Sequence, residues 1–348
     1  METLYVLEPG AYLRKEAGCL SIVKDRQVIE TIPLEGLKRL LLVGRASLTG
    51  AVLDVLIQNR VETVFITAGG RYRGRLAVDE HGHVELRRSQ YLRLSDPLFN
   101  LRAAQVVVKG KIVNMQRFLS LRARQNGSDV LRYAAVRLKA MAATVPSTQN
   151  TDQVRGIEGA ATAVYYKVFA EMLTNPQFVF KHRSRRPPLD PVNALLSFVY
   201  TLMTNEVLSA IKTCGLDPFL GALHEVSYGR PSLACDLVEE YRCFLGDRLV
   251  LGLLNRRAIG PEDFVIRADP PAEFTDEAEM RAKRPVEMKP AVCRSFIAAY
   301  EKMMQGQLHY KPLGRNVSYR MLLLHQVRRY ADWLQDEAKV YQPFAWES

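Results

Sequence analysis

Apolar residues change their spacing part-way along this chain, and that change constrains the fold more than any other feature. Up to about Val84 they come in short runs: Tyr5-Val6-Leu7, residues 19–23, Gln27-Val28-Ile29, residues 39–43 and residues 64–67. Short runs bounded by turn formers predict strands. Lys24-Asp25-Arg26 lies between two of them and predicts a hairpin turn. One helix interrupts, over residues 48–58, where Leu48, Val52, Val55 and Leu56 repeat at helical spacing behind Ser47 as its cap. From Asp96 the period becomes helical. Asp96-Pro97 opens a long helix through Val108, Ile112, Met115 and Leu119. Further helices are expected over residues 129–144, 157–173, 192–211, 232–254, 275–283, 292–304 and 318–339. The chain is 348 residues long, and single cores stop growing at roughly 250–300 residues. The expected architecture is α+β: a small β-rich N-terminal domain over residues 1–90, then a larger all-α catalytic domain over 91–348. The first would serve dimerisation or partner docking, since no chemistry is visible in it.

Composition narrows the class. No segment approaches the ~20 uninterrupted apolar residues of a membrane helix, and the first residues lack a basic-then-apolar signal pattern. A soluble, unexported, cytoplasmic protein with no membrane partner is expected. The five cysteines (Cys19, Cys214, Cys235, Cys243 and Cys293) are scattered without a CxxC pair, so they predict neither disulfides nor a zinc site. A net charge of +11 attracts polyanions. Lys181, Arg183, Arg185 and Arg186 concentrate that charge, and arginine suits bidentate phosphate contacts. Charge alone does not separate DNA from RNA or from an acidic membrane, but the arginines favour nucleic acid, held by its backbone rather than read by its bases.

Three places concentrate metal-ligating types. Glu158 stands between Gly156 and Gly159 at an expected helix entry, where a carboxylate is electrostatically favoured; a surface glutamate in a turn fits the same pattern. His224 closes an apolar stretch and precedes a turn-rich loop. A hydrogen-bonded structural histidine fits there too. Asp236 and Glu239 are three apart on a helix expected to be capped by Ser232, so they share one side, as ligands of one cation or as a solvated acidic face. As crowded like charges, removing one is expected to stabilise the metal-free fold. Carboxylates with one imidazole suit Mg²⁺ or Mn²⁺ better than structural zinc.

Together, Gly156-Ile157-Glu158-Gly159, the block HEVSYGRPSLACDLVEEYR at 224–242 and RRPPLDPVNALLSFVYTLM at 185–203 resemble the CRISPR-associated adaptation integrase family, Cas one. The resemblance covers nearly the whole chain. It implies an antiviral-defence endonuclease and integrase that inserts short DNA fragments into a CRISPR array by 3′-hydroxyl transesterification. Glu158, His224 and Glu239 would ligate the metal, with Asp236 beside them or alternating with Glu239. Asp190 and Asn193 would cap a helix near the site, and Arg186 would touch phosphate. The implied partners are duplex DNA (captured fragment and repeat), a second copy of the chain in a homodimer, and a small CRISPR adaptation subunit, Cas two. Two rivals are a non-catalytic basic nucleic-acid scaffold and a phosphohydrolase of small esters, the second disfavoured by the +11 charge.

Overall fold

The structure, a computed structural model, describes residues 3–67, 70, 72–76, 82–185, 187–225, 227, 229–266 and 286–347. The N-terminal segment is β-rich, as expected. It runs β1 (Thr3–Val6), β2 (Tyr12–Glu16), β3 (Cys19–Lys24), β4 (Gln27–Pro33), β5 (Arg39–Val43), β6 (Ser47–Leu48), α1 (Gly50–Gln58), β7 (Glu62–Ile66) and β8 (Tyr72–Leu76). These strands make two sheets, in the orders β1-β5-β7-β8 and β4-β3-β2-β6. β1, β5 and β7 pair in parallel and β8 closes the edge antiparallel. Leu4 and Leu40 of one sheet, Leu13 and Leu20 of the other, and Val52 and Leu56 of α1 share one buried core.

The hairpin at Lys24-Asp25-Arg26 forms: Lys24 pairs with Gln27, and Asp25 and Arg26 take φ of +49° and +65°. Two consecutive positive φ values match the right-handed twist of a two-residue hairpin. The first helix starts later than its spacing suggests. Ser47 and Leu48 are not its entry but the short strand β6, paired in parallel with β2, and Thr49 precedes Gly50 without a side-chain cap. Strands β2 and β8 have no apolar alternation, because backbone pairing alone defines them: only Leu13 of YLRKE is buried, and none of YRGRL.

The rest is helical. It comprises α2 (Val84–Ser95), α3 (Pro97–Asn126), α4 (Asp129–Thr144), α5 (Thr151–Lys167), α6 (Pro191–Thr213), α7 (Ser232–Val238) and α8 (Arg248–Asn255). Then follow β9 (Phe264–Ile266), β10 (Val286–Met288), α9 (Pro290–Gln305), β11 (Gln307–Tyr310), β12 (Arg315–Ser318) and α10 (Tyr319–Gln335). The short ladders β9–β10 and β11–β12 depart from an all-α reading. Asp96 caps α3 by accepting from Leu98 N–H, and Asp190 accepts from Asn193 N–H at 2.8 Å at the entry of α6. α6 is long and apolar enough to cross a membrane, but 72% of its most apolar window is buried inside the protein, as in a core helix. The helix expected at 275–283 lies outside the described residues.

By packing, the chain divides into two compact units. One comprises Met1–Glu80, Arg186–Thr201 and Glu262–Ala298; the other comprises His81–Arg185, Leu202–Pro261 and Ala299–Ser348. Glu158, His224, Asp236 and Glu239 all belong to the second.

Candidate active site

Glu158 is not at a helix entry. Asn150 caps α5 by accepting from Gln153 N–H, which places Glu158 in the helix interior. The two glycines around it leave open space, since a Cβ built at Gly156 or Gly159 meets no atom within 4 Å. Thr162, one turn on, donates its hydroxyl to Glu158 Oε1 at 3.0 Å.

The helix expected over 232–254 is broken, and the break sits at the site. α7 ends at Val238, the ladder tightens at Glu239 and Tyr241, and a π-helical turn over Arg242–Asp247 leads into α8. Such turns inside α-helices are frequently found at functional sites. Ser232 does not cap α7; its hydroxyl donates to Glu225 O at 2.9 Å, tying down the loop before the helix.

Asp236 and Glu239 have separate partners. Asp236 Oδ2 accepts from the N–H groups of Ala222 and Leu223 at 2.7 and 3.0 Å. Its Oδ1 accepts from His224 N–H at 3.0 Å and meets His224 Nδ1 at 2.6 Å. A carboxylate offers about four acceptor positions, and all of these are used. An acceptor so placed sets the imidazole proton on Nδ1 and leaves Nε2 as the free lone pair. Gly221 makes room for this arrangement, because a Cβ there would stand 2.5 Å from Asp236 Oδ2. Arg155 on α5 holds the same loop, donating Nε–H to Leu223 O at 2.8 Å.

Glu239 is 3% exposed and pairs with Arg242 at 3.0 Å and Lys111 at 2.8 Å. Burial alone would push its carboxyl up, but Arg242 and Lys111 outweigh that and hold it at about 2. The crowding of like charge expected for Asp236 and Glu239 is therefore absent. Each is compensated, so removing either one should destabilise the fold instead of relieving it.

Lys111 on α3 joins the expected residues. Its ammonium contacts Glu158 Oε1 as well as Glu239 Oε2, so two carboxylates from α5 and the end of α7 meet at one cation. Burial disfavours the charged lysine, but Glu239 and Glu158 reverse this and raise its pKa. Among the described residues no three of His, Cys, Asp or Glu stand close enough to ligate one ion, and the ammonium takes that place. The donor set nonetheless suits a metal. Glu239 Oε2 is buried with the Lys111 ammonium at 2.8 Å as its partner, and His224 presents Nε2. Two carboxylates and one imidazole are ordinary ligands of Mg²⁺ or Mn²⁺.

Behind the site, Asn114 of α3 donates to Glu240 O at 2.8 Å and Phe344 O at 2.7 Å, and accepts from Trp346 N–H at 2.8 Å. The Glu240 carboxylate accepts from Tyr341 Oη–H at 2.6 Å and Phe344 N–H at 2.9 Å. Burial pushes the Glu240 carboxyl up from 4.5 to about 7, against those bonds. An acid raised in the fold contributes stability fully below about 4.5 and loses it as pH rises through about 7. Glu240→Gln should therefore flatten the fall of stability across that window, read as urea-unfolding midpoints. A slope equal to wild type would contradict the assignment.

The basic loop is placed in part. Phe180 packs on Phe169 and Tyr166, with centroids at 4.8 and 6.1 Å, and anchors the chain just before Lys181. Lys181 and Arg185 are exposed, and Arg183 is half-buried with Nη1 donating to Ser184 O at 2.5 Å. Arg186 lies outside the described residues.

Known proteins resemble this chain over nearly its whole length. The model of the family described as CRISPR associated protein Cas1 matches residues 4–285. A CRISPR-associated endonuclease Cas1 of Chlorobaculum tepidum is 36% identical, over 99% of this chain and 98% of its own. Another, of Thermus thermophilus, is 37% identical over 98% of this chain and 96% of its own. The fold of a Cas1 protein from Thermotoga maritima matches with a TM-score of 0.80 at 24% identity, covering 100% of both chains. With the family model spanning most of its length and both relatives aligned nearly end to end, the chain belongs to the CRISPR-associated Cas1 family.

Proposed function

We propose that this chain is a divalent-metal-dependent DNA endonuclease and integrase of CRISPR adaptation. It inserts short DNA fragments into a repeat array when their 3′-hydroxyl ends attack phosphodiesters at the ends of a repeat. The observation that carries the reading is the meeting of Glu158 and Glu239 at one buried cation, with Asp236, three residues before Glu239, aligning the His224 imidazole. A solvated acidic face would not bury Glu239 against a lysine so distant in sequence. The naming of both curated relatives as endonucleases supports the same conclusion.

Glu158, Glu239 and His224 Nε2 would hold Mg²⁺ or Mn²⁺. Bound there, the ion supplies Lewis-acid polarisation of a phosphoryl oxygen and stabilises charge on the attacking and leaving oxygens. The chain's own residues prepare the site. Asp236 keeps the proton of His224 on Nδ1, Arg242 balances Glu239, and Arg155 fixes the loop that carries His224. Lys181, Arg183 and Arg185 extend the positive surface toward DNA phosphates, and Arg186 joins them on the sequence evidence. Duplex DNA, a second copy of this chain in a homodimer, and the small adaptation subunit Cas two complete the proposed assembly, which works in the cytoplasm.

The test is strand joining with a labelled DNA duplex and a repeat-containing target. Wild-type protein should join strands with Mn²⁺ or Mg²⁺, stop with EDTA, and recover with excess metal. DNA binding without joining or cleavage under any metal would favour the scaffold, and joining indifferent to EDTA would end the metal reading.

A further inference from the structure

Lys111 has no part in the chemistry assigned above, yet it stands at the centre of the site. It follows Val108 by three residues and precedes Met115 by four on the buried stripe of α3, and its side chain is 4% exposed. A lysine at that depth is tolerated only with its charge paired. Its partners are Glu158 and Glu239, the two carboxylates assigned to a metal ion.

We propose that Lys111 is a resident counter-cation: its ammonium holds Glu158 and Glu239 together in the metal-free protein, and a divalent cation binds by exchange with it. The inference rests on the metal-dependent reading and adds a residue to it. Two carboxylates converging in a buried space repel, and Glu239 at 3% exposure would be a costly unpaired charge. The ammonium removes both difficulties, so the site is assembled before any metal arrives. The same ammonium then opposes the incoming ion, because like charges cannot share the gap between the carboxylates. A flexible four-carbon stem lets the lysine head withdraw while its backbone stays in α3. The way out lies on the Glu158 side, where that side chain is 25% exposed against 3% for Glu239. Lys111 is thus a positioning residue that also sets how tightly the site takes metal.

Manganese binding by the full chain tests this, counted by the loss of the free-ion electron paramagnetic resonance signal and by calorimetry. Lys111→Met keeps most of the stem and removes the charge. It should lower the melting temperature of the metal-free protein yet tighten Mn²⁺ binding about tenfold or more, as expected when a unit charge beside a divalent ion is removed. Lys111→Arg keeps the charge and should bind Mn²⁺ no more tightly than wild type. A merely structural lysine predicts the opposite sign, since a loosened site would bind metal more weakly. Should Lys111→Met fail to fold, Lys111→Gln carries the same expectation. Unchanged or weaker Mn²⁺ binding by a folded, charge-free variant would overturn the proposal. Failure of the metal reading would look different, with wild type and Glu158→Gln binding Mn²⁺ equally poorly whatever stands at position 111.

Discussion

His224→Ala and Glu239→Ala should each cut metal-dependent cleavage and strand joining about a hundredfold or more, the scale of losing one stabilising group at a developing charge. DNA affinity should largely survive, because the basic surface that supplies it is untouched. Gel-based joining assays beside fluorescence anisotropy with the same duplex separate the two effects. The losses should not add: once one ligand is gone, a second costs little more. The two variants should differ in stability. Glu239→Ala leaves the Lys111 ammonium and Arg242 short of a buried partner, which costs about 3–5 kcal/mol. His224 is 22% exposed and its loss should cost less. Equal stability of the two variants would mean that the buried ion pairs contribute nothing.

Asp236→Ala should be the most damaging change to the fold around the site. It leaves the backbone N–H groups of Ala222, Leu223 and His224 without their acceptor, at roughly 1–3 kcal/mol for each buried donor. Asp236→Asn should fare little better. One of its amide termini must present N–H where either oxygen now receives two donors. Urea-unfolding midpoints should fall sharply for both, and joining should fall as far as for Glu239→Ala, because His224 loses the partner that sets its tautomer. A folded Asp236→Asn protein of wild-type stability would show that the carboxylate does not organise this loop.

The parts of the fold legible from sequence were those where local chemistry and burial agree. α4 begins and ends as its pattern implies because Gly127 terminates α3 with φ of +64° and Ser128 caps the next helix by accepting from Leu131 N–H. α2 escaped notice because its buried positions are Leu86, Gln90 and Leu94, with a glutamine in the middle of the stripe. Only the tertiary structure explains that glutamine: it donates to Asp217 O and Leu220 O, across more than a hundred residues.

The site divides along the same line. Glu158, His224, Asp236 and Glu239 were visible as residue types at suggestive spacings, but their division of labour was not. A spacing of three on a helix says that Asp236 and Glu239 share a side; the break after Val238 gives one to a loop and the other to α3. Lys111 was overlooked for want of a motif, though a signal existed. A lysine three residues after Val108 and four before Met115 interrupts an apolar spacing on the buried stripe, and a charge there requires a partner.

Strand joining by purified Glu158→Ala protein tests the central claim most directly. Glu158 is the most exposed of the assigned ligands, at 25% against 22% for His224 and 3% for Glu239, which favours a folded variant in which chemistry is read apart from folding. The account predicts a folded protein that binds the DNA duplex like wild type and joins no strands in Mn²⁺. Joining at the wild-type rate by that folded protein would contradict it and leave the scaffold in its place.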